Sequence, residues 1–234
     1  MNDMSIDPAG ATREMPPLPG AMAHLDRDRR GYPIPFVVAR GDDGTPDFRI
    51  NDFARVDRCL GEGLCAISGL PLADDDVWLV GGPKAAYDPR GAYLDPPARK
   101  DCLVWALQVC PFLVARRYLM KNAPSRFTPP AGMYFVAHAS ADPVVPEMFV
   151  MARTDGIALD LSPDGQIVML PNRPWLEVEH WRAGRLIEVR RRAQTLKELR
   201  AWKAACTDEI PIHVRKRNRG EGPKAFSWSD SRGS

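Results

Sequence analysis

Long apolar runs are missing from this chain. No stretch approaches the ~18 continuous apolar residues of a membrane-spanning helix, and the opening MNDMSIDPAGATREMPP has no apolar centre like that of a secretory signal. The expectation is a cytoplasmic protein with no membrane among its partners. Histidine is scarce as well: His24, His138, His180 and His213 are scattered, and none lies between Leu64 and Leu113. That stretch therefore offers neither an imidazole ligand nor a histidine base, which argues against a His-metal nuclease built on it. Gly81-Gly-Pro-Lys84 lacks the spacing and the following helix of a phosphate-cradling loop. There is no nucleophile elbow and no internal repeat. The five cysteines (Cys59, Cys65, Cys102, Cys110 and Cys206) are an odd number. In a reducing compartment they are expected as free or metal-bound thiols rather than disulfides.

What is abundant is proline, 23 of 234 residues, about twice the usual ~5%. So much proline predicts short elements and long ordered loops. Hydrophobic content of 44%, charged content of 26% and a net charge of +2 are those of an ordinary globular chain.

The stretch Leu64–Leu113 organises the rest. LCAISGLPLADDDVWLVGGP reads as a cysteine-containing turn and a hairpin, with Val77–Val80 as its buried second strand. Gly69 supplies the permissive backbone of the turn. A Pro-rich loop, Gly81–Pro97, leads to a helix over Asp101–Val109, which Pro111 ends. Turn, hairpin and helix in that order are the layout of a treble-clef zinc finger. Such a site takes two ligands from the turn and two from the first turn of the helix. Here the pairs are Cys65-x-x-Ser68 and Arg99-x-x-Cys102. A hydroxyl is a poor zinc donor and a guanidinium repels the cation. Cys65 and Cys102 are thus either the remnant of a metal site or small buried apolar groups. Cys110 lies more than two helical turns beyond Cys102, too far to share one ion.

Residues 1–30, polar and rich in Pro and Gly, read as a disordered lead. Tyr32–Ala39 and Asp47–Ile50 read as a hairpin, and Asn51 as the cap of a helix carrying Phe53, Val56 and Leu60 on one face. A basic connector covers 116–130. Beyond it, Met133–Ala137, Glu147–Ala152, Gly156–Leu161, Gln166–Leu170 and Trp175–Trp181 alternate as successive short strands, predicting a meander or small barrel. Thr195-Leu-Lys-Glu198 is a capping-box pattern opening a helix to about Cys206. The expected fold is α+β: a treble-clef-like half (31–115), a connector (116–130), an antiparallel sheet with a packing helix (131–206), and a basic tail (207–234).

Arg30-Gly-Tyr-Pro-Ile-Pro-Phe, Gly44-Thr-Pro-Asp-Phe-Arg, Leu64-Cys-x-x-Ser-Gly-x-Pro-Leu, Cys102-x7-Cys110-Pro-Phe-Leu and Glu179-His-Trp-Arg-Ala-Gly-Arg185 resemble an uncharacterised family of actinobacterial, proteobacterial and phage proteins. The resemblance runs from Arg30 to about Cys206. It implies a treble-clef fold whose members carry Cys-x-x-Cys and His-x-x-Cys ligand pairs for zinc. This chain departs from them at Ser68 and Arg99. The family context also suggests a phage or mobile-element accessory protein that inhibits a host partner. No catalytic role carries over.

For partners, the basic C-terminal segment is the main signal: Arg182–Arg219 holds 12 Lys/Arg against 4 Asp/Glu. Arg190, Arg191, Arg192, Arg215, Lys216, Arg217 and Arg219 would neutralise phosphates, and Trp202 would stack on a base. The plain alternative is a solvated helix face with a solubilising tail. Three functional readings result: a non-enzymatic protein binding nucleic acid or another protein, the host-inhibiting accessory protein, and an enzyme with a site between the halves. The enzyme would draw on the Gly81–Pro97 loop, His138 and His180.

Overall fold

The computed structural model describes residues 5–6, 12–13, 15–88, 91–114, 146–161, 167–205 and 225–226. It is a mixed α and β fold built from helices and small antiparallel sheets. Among the described residues no helix is long and apolar enough to cross a membrane.

Two-residue strands β1 (Ser5–Ile6) and β2 (Thr12–Arg13) pair antiparallel near the start. From Met15 onward the expected disordered lead is instead packed. Met22 is 1% exposed, and Met15, Leu18 and Leu25 lie against the same core. Trp105 Nε1 donates to the Pro16 carbonyl. Apolar residues at these intervals supply enough burial to outweigh the charged run that follows them.

The first hairpin is β3 (Val38–Arg40) with β4 (Pro46–Asn51). It starts later than the expected strand because Pro33 and Pro35 have no N–H to give a ladder, and Pro33 makes only an isolated bridge to Arg27. Helix α1 (Phe53–Glu62) is capped by Asp52, whose carboxylate accepts from the Arg55 N–H. Asn51, the expected cap, is used elsewhere and donates to Asp95. Gly63, at φ 69°, closes the helix in the left-handed conformation that glycine adopts cheaply. Val56, Cys59 and Leu60 face the core.

Strand β5 (Trp78–Gly81) departs from the expected local hairpin. It pairs with the distant β6 (Phe149–Arg153), and it meets the stretch before the next helix through one bridge, Trp78 with Ala98. The long loop after it contains a short helix, α2 (Pro83–Tyr87), opened by proline where no N–H is needed. Helix α3 (Lys100–Val109) stands where its periodicity predicts, followed after Cys110 by the single turn α4 (Pro111–Val114).

The C-terminal strands do not form one meander. β7 (Ile157–Leu161) and β8 (Ile167–Pro171) pair with each other and stand apart, with β11 (Ala225–Phe226) on the outer side of β7. Thr154 Oγ1 fastens the base of this hairpin by donating to the Gly156 and Asn172 carbonyls. β6 then pairs with β9 (Glu177–Arg182), and β9 with β10 (Arg185–Arg191), giving the sheet order β10-β9-β6-β5. The expected strand Met133–Ala137 and connector 116–130 lie outside the described residues. The segments flanking them share this sheet and one core, which includes Trp78, Leu79, Leu107, Met151, Trp175 and Val178.

Helix α5 (Arg192–Ala205) starts before the expected cap. Gln194 Oε1 accepts from the Arg191 N–H, as the third helical residue of a capping box does. Thr195 is buried inside the first turn and donates to the Trp175 and Arg192 carbonyls.

Candidate functional site

The turn after α1 is closed by a bridge between Leu64 and Pro71 and by the Gly69 N–H donating to the Cys65 carbonyl. Gly69 has φ +70°, and a Cβ there would come within 2.7 Å of the Phe36 ring, so the position admits only glycine without a shift. The turn is bound on both sides: Phe36 and Val37 N–H groups donate to Ile67 and Ala66 carbonyls, and the Ala66 N–H donates to Pro97.

These bonds bring the turn against the start of α3 and gather the four positions that the sequence pairs two by two. Cys65 Sγ accepts from the Ser68 N–H at 3.3 Å and from the Arg99 N–H at 3.4 Å. The Cys102 thiol and the Ser68 hydroxyl also act on it, both favouring its thiolate. Donation by Cys102, reinforced by the Ser68 and Arg99 donors, pulls the Cys65 pKa down to about 6 against the opposing effect of burial. Cys102, which gives its proton to that bond and is buried, moves up. Burial pushes the neighbouring Cys59 up to about 12. Cys65, Cys102 and Cys59 are all fully enclosed. Cys110 is half-buried at the far end of α3, and Cys206 lies outside the described residues.

Two thiols, a hydroxyl and a guanidinium do not make a tetrahedral zinc site. The Arg99 side chain turns to Asp101 at 3.4 Å and Asp76 at 4.0 Å. Among the described residues no three His, Cys, Asp or Glu side chains are grouped as a metal ion needs.

Beside the outer face of this turn is an open cleft of about 390 Å³. Ser68 and Gly69 form one wall, His24 and Asp26 another, and Arg40, Arg55 and Arg58 the rest, around Phe36. His24 Nε2 donates to the Ser68 carbonyl at 3.0 Å, tying the N-terminal segment to the turn. The Arg55 and Arg58 guanidinium carbons lie 5.6 and 5.5 Å from the Phe36 ring centroid, and Arg55 also donates to the Phe36 carbonyl. Arg40 pairs with Asp26, Arg55 with Asp52 and Arg58 with Glu62. Such exposed pairs are worth about 0–1 kcal/mol, so an incoming anion can exchange with them. None of these residues stands out in the sequence. The only signal is Arg55 and Arg58 at helical i,i+3 spacing on the polar side of α1.

The sequence-predicted phosphate contacts are placed differently. Arg190 pairs with Glu188 and Glu198, and Arg191 with Glu177. Arg192 is exposed at the start of α5. Trp202 belongs to α5, while Arg215, Lys216, Arg217 and Arg219 lie outside the described residues.

His180, on β9, is buried, with Nε2 3.0 Å from the Tyr87 hydroxyl and Nδ1 3.9 Å from Glu188. Burial lowers its pKa and keeps the ring neutral. Tyr87 lies in the Gly81–Pro97 loop, so that loop and His180 do meet. They meet in a closed contact away from the cleft, and His138 is outside the described residues. No family model matches this chain, and neither does any curated protein or solved structure.

Proposed function

We propose that this is a non-enzymatic binding protein that contacts nucleic acid through the arginine-lined cleft beside the Cys65–Gly69 turn. The turn and α3 act as a treble-clef-like scaffold in which a thiol pair has replaced the metal. The convergence of Cys65, Ser68, Arg99 and Cys102 on one point supports the scaffold reading. So do the N–H groups aimed at a sulfur of depressed pKa, the electronic environment that a metal-bound thiolate also requires. It is consistent with the resemblance to the phage and bacterial family.

The cleft carries the functional half of the reading. Arg40, Arg55 and Arg58 line it, each held by a surface ion pair that an incoming anion can exchange, and Asp26 is the carboxylate among the lining residues. Guanidinium groups present planar forks that suit phosphate oxygens, and the Phe36 ring sets the spacing of two of them. Contacts of this kind give affinity without reading sequence, and they are strongly salt-dependent. Arg190 and Arg191 lie on β10 and do not line this cleft.

Fluorescence anisotropy with labelled duplex and single-stranded DNA at low and moderate salt tests this. Binding is expected to weaken steeply with salt. Arg40→Ala and Arg58→Ala should each reduce the salt slope by about one. Absence of salt-dependent binding to either DNA would refute the reading.

A further inference from the structure

Among the described residues the outer edge of the β10-β9-β6-β5 sheet is β10, seven residues long and paired through β9 alone. Its apolar side chains face outward: Leu186 is 46% exposed, Ile187 58% and Val189 41%. Few other large hydrophobic side chains among the described residues are so exposed, only Phe53 and Leu70. Proteins usually protect a long apolar edge by lysine, proline or a covering element. Among the described residues this edge carries a register shift between Leu186 and Glu188 and charged side chains, but no proline and no covering element on its apolar positions. Arginines surround this edge: Arg182, Arg185, Arg190, Arg191 and Arg192, against Glu188 alone on the strand. Among the described residues, Arg182, Arg185 and Arg192 have no acidic partner.

We propose that β10 is a strand-addition site for an extended peptide of alternating acidic and apolar residues on a partner protein. Backbone ladder bonds would supply affinity, Leu186 and Val189 would receive alternate side chains, and the flanking arginines would select carboxylates. A second copy of the chain is the competing occupant: antiparallel pairing about Glu188 would oppose Arg185 to Arg191, but pairing about Val189 would set Glu188 opposite Arg190. Self-pairing depends on protein concentration and not on peptide, and the test separates the two on that ground. The unpaired arginines at both ends of the strand favour the acidic peptide.

The test uses the full chain with a fluorescein-labelled octapeptide of alternating Glu and Val, and a Lys–Val octapeptide as control. The Glu–Val peptide is expected to bind and to slow amide hydrogen exchange across 185–191 at least tenfold. The Lys–Val peptide is expected to bind at least tenfold more weakly. Leu186→Lys with Val189→Lys should abolish the protection, while Arg40→Ala with Arg58→Ala, which acts on the cleft, should leave it unchanged. Three results would each overturn the proposal. They are no protection of 185–191, equal binding of both peptides, and protection that appears without peptide and grows with protein concentration, the signature of self-pairing.

Discussion

At Cys65 a single sulfur accepts from two backbone N–H groups inside a closed core, with the Cys102 thiol and the Ser68 hydroxyl also favouring its thiolate. Removing charge from water is costly, so such a site retains a thiolate only because those donors replace its hydration. The thiol holds its proton less tightly in the folded chain, with a pKa of about 6, than at its ordinary value of 9.0. Across that window the unfolded chain binds more protons, so stability rises with pH. The contribution is complete above pH 9 and disappears as pH falls through 6. Cys59 and Cys102 shift the opposite way, and their contribution is lost only at more alkaline pH. His180, lowered by burial, adds a loss that begins near its ordinary 6.5. Urea midpoints are therefore expected to climb between pH 6 and 8.5, and Cys65→Ala should flatten that climb while leaving the part below 6.5. A wild-type midpoint that stays level over this range would contradict the assignment.

At the level of elements, the sequence disclosed what is periodic and concealed what is paired. Helix α3 is visible in Leu103, Leu107 and the buried face with Cys102, Trp105 and Val109, and the structure places it within a residue of the expected start. Strand β10 is not visible because its burial does not alternate: both faces of Arg185–Arg191 are largely exposed, leaving only a run of charge to read. The capping box at Thr195 misleads because a threonine three residues before a glutamate is equally good inside a first turn, where Thr195 instead bonds Trp175. The partners of β5 and β6 lie far apart in the chain, and alternation says nothing about which strand a strand will meet. For the site, the turn and its two cysteines are legible from spacing alone. The arginine cleft is not, because it joins His24, Arg40 and Arg58 from three separate elements. The scaffold proposal makes a direct prediction at this scale. Ser68→Cys together with Arg99→His supplies four soft or borderline donors around one point, as a structural zinc site requires. That variant is expected to purify with one zinc per chain and to lose thermal stability on chelation, whereas the parent chain should respond to neither. A double variant that binds no zinc would show that the four positions, although adjacent, do not converge as ligands.

For the molecule as a whole, the decisive feature is that β5, from the first half, is an outer strand of a sheet whose other strands come from the second. Trp78 and Leu79 are buried against it, and Lys100 at the head of α3 reaches Glu177 and Glu179 on β9 at 2.9 and 2.7 Å. Cutting the chain between 114 and 146 and separating the pieces would leave Val150, Met151, Trp175, Val178 and Trp181 without their cover. At about 1.5–3 kcal/mol per buried side chain the loss is on the order of 10 kcal/mol, comparable with the whole net stability of a domain, about 5–15 kcal/mol. It would also remove the Lys100 pairs with Glu177 and Glu179, a small further loss because the lysine is partly exposed and the freed carboxylates would face water. Neither fragment, 15–114 or 146–205, should therefore fold alone, although each carries both helix and strand. Expressed separately, each is expected to lack the near-ultraviolet signal of packed tryptophan. The intact chain should unfold in one transition, with far- and near-ultraviolet dichroism superimposing. Two resolved transitions, or a native-like spectrum from either fragment, would mean that the shared sheet is a weak contact between two independent cores.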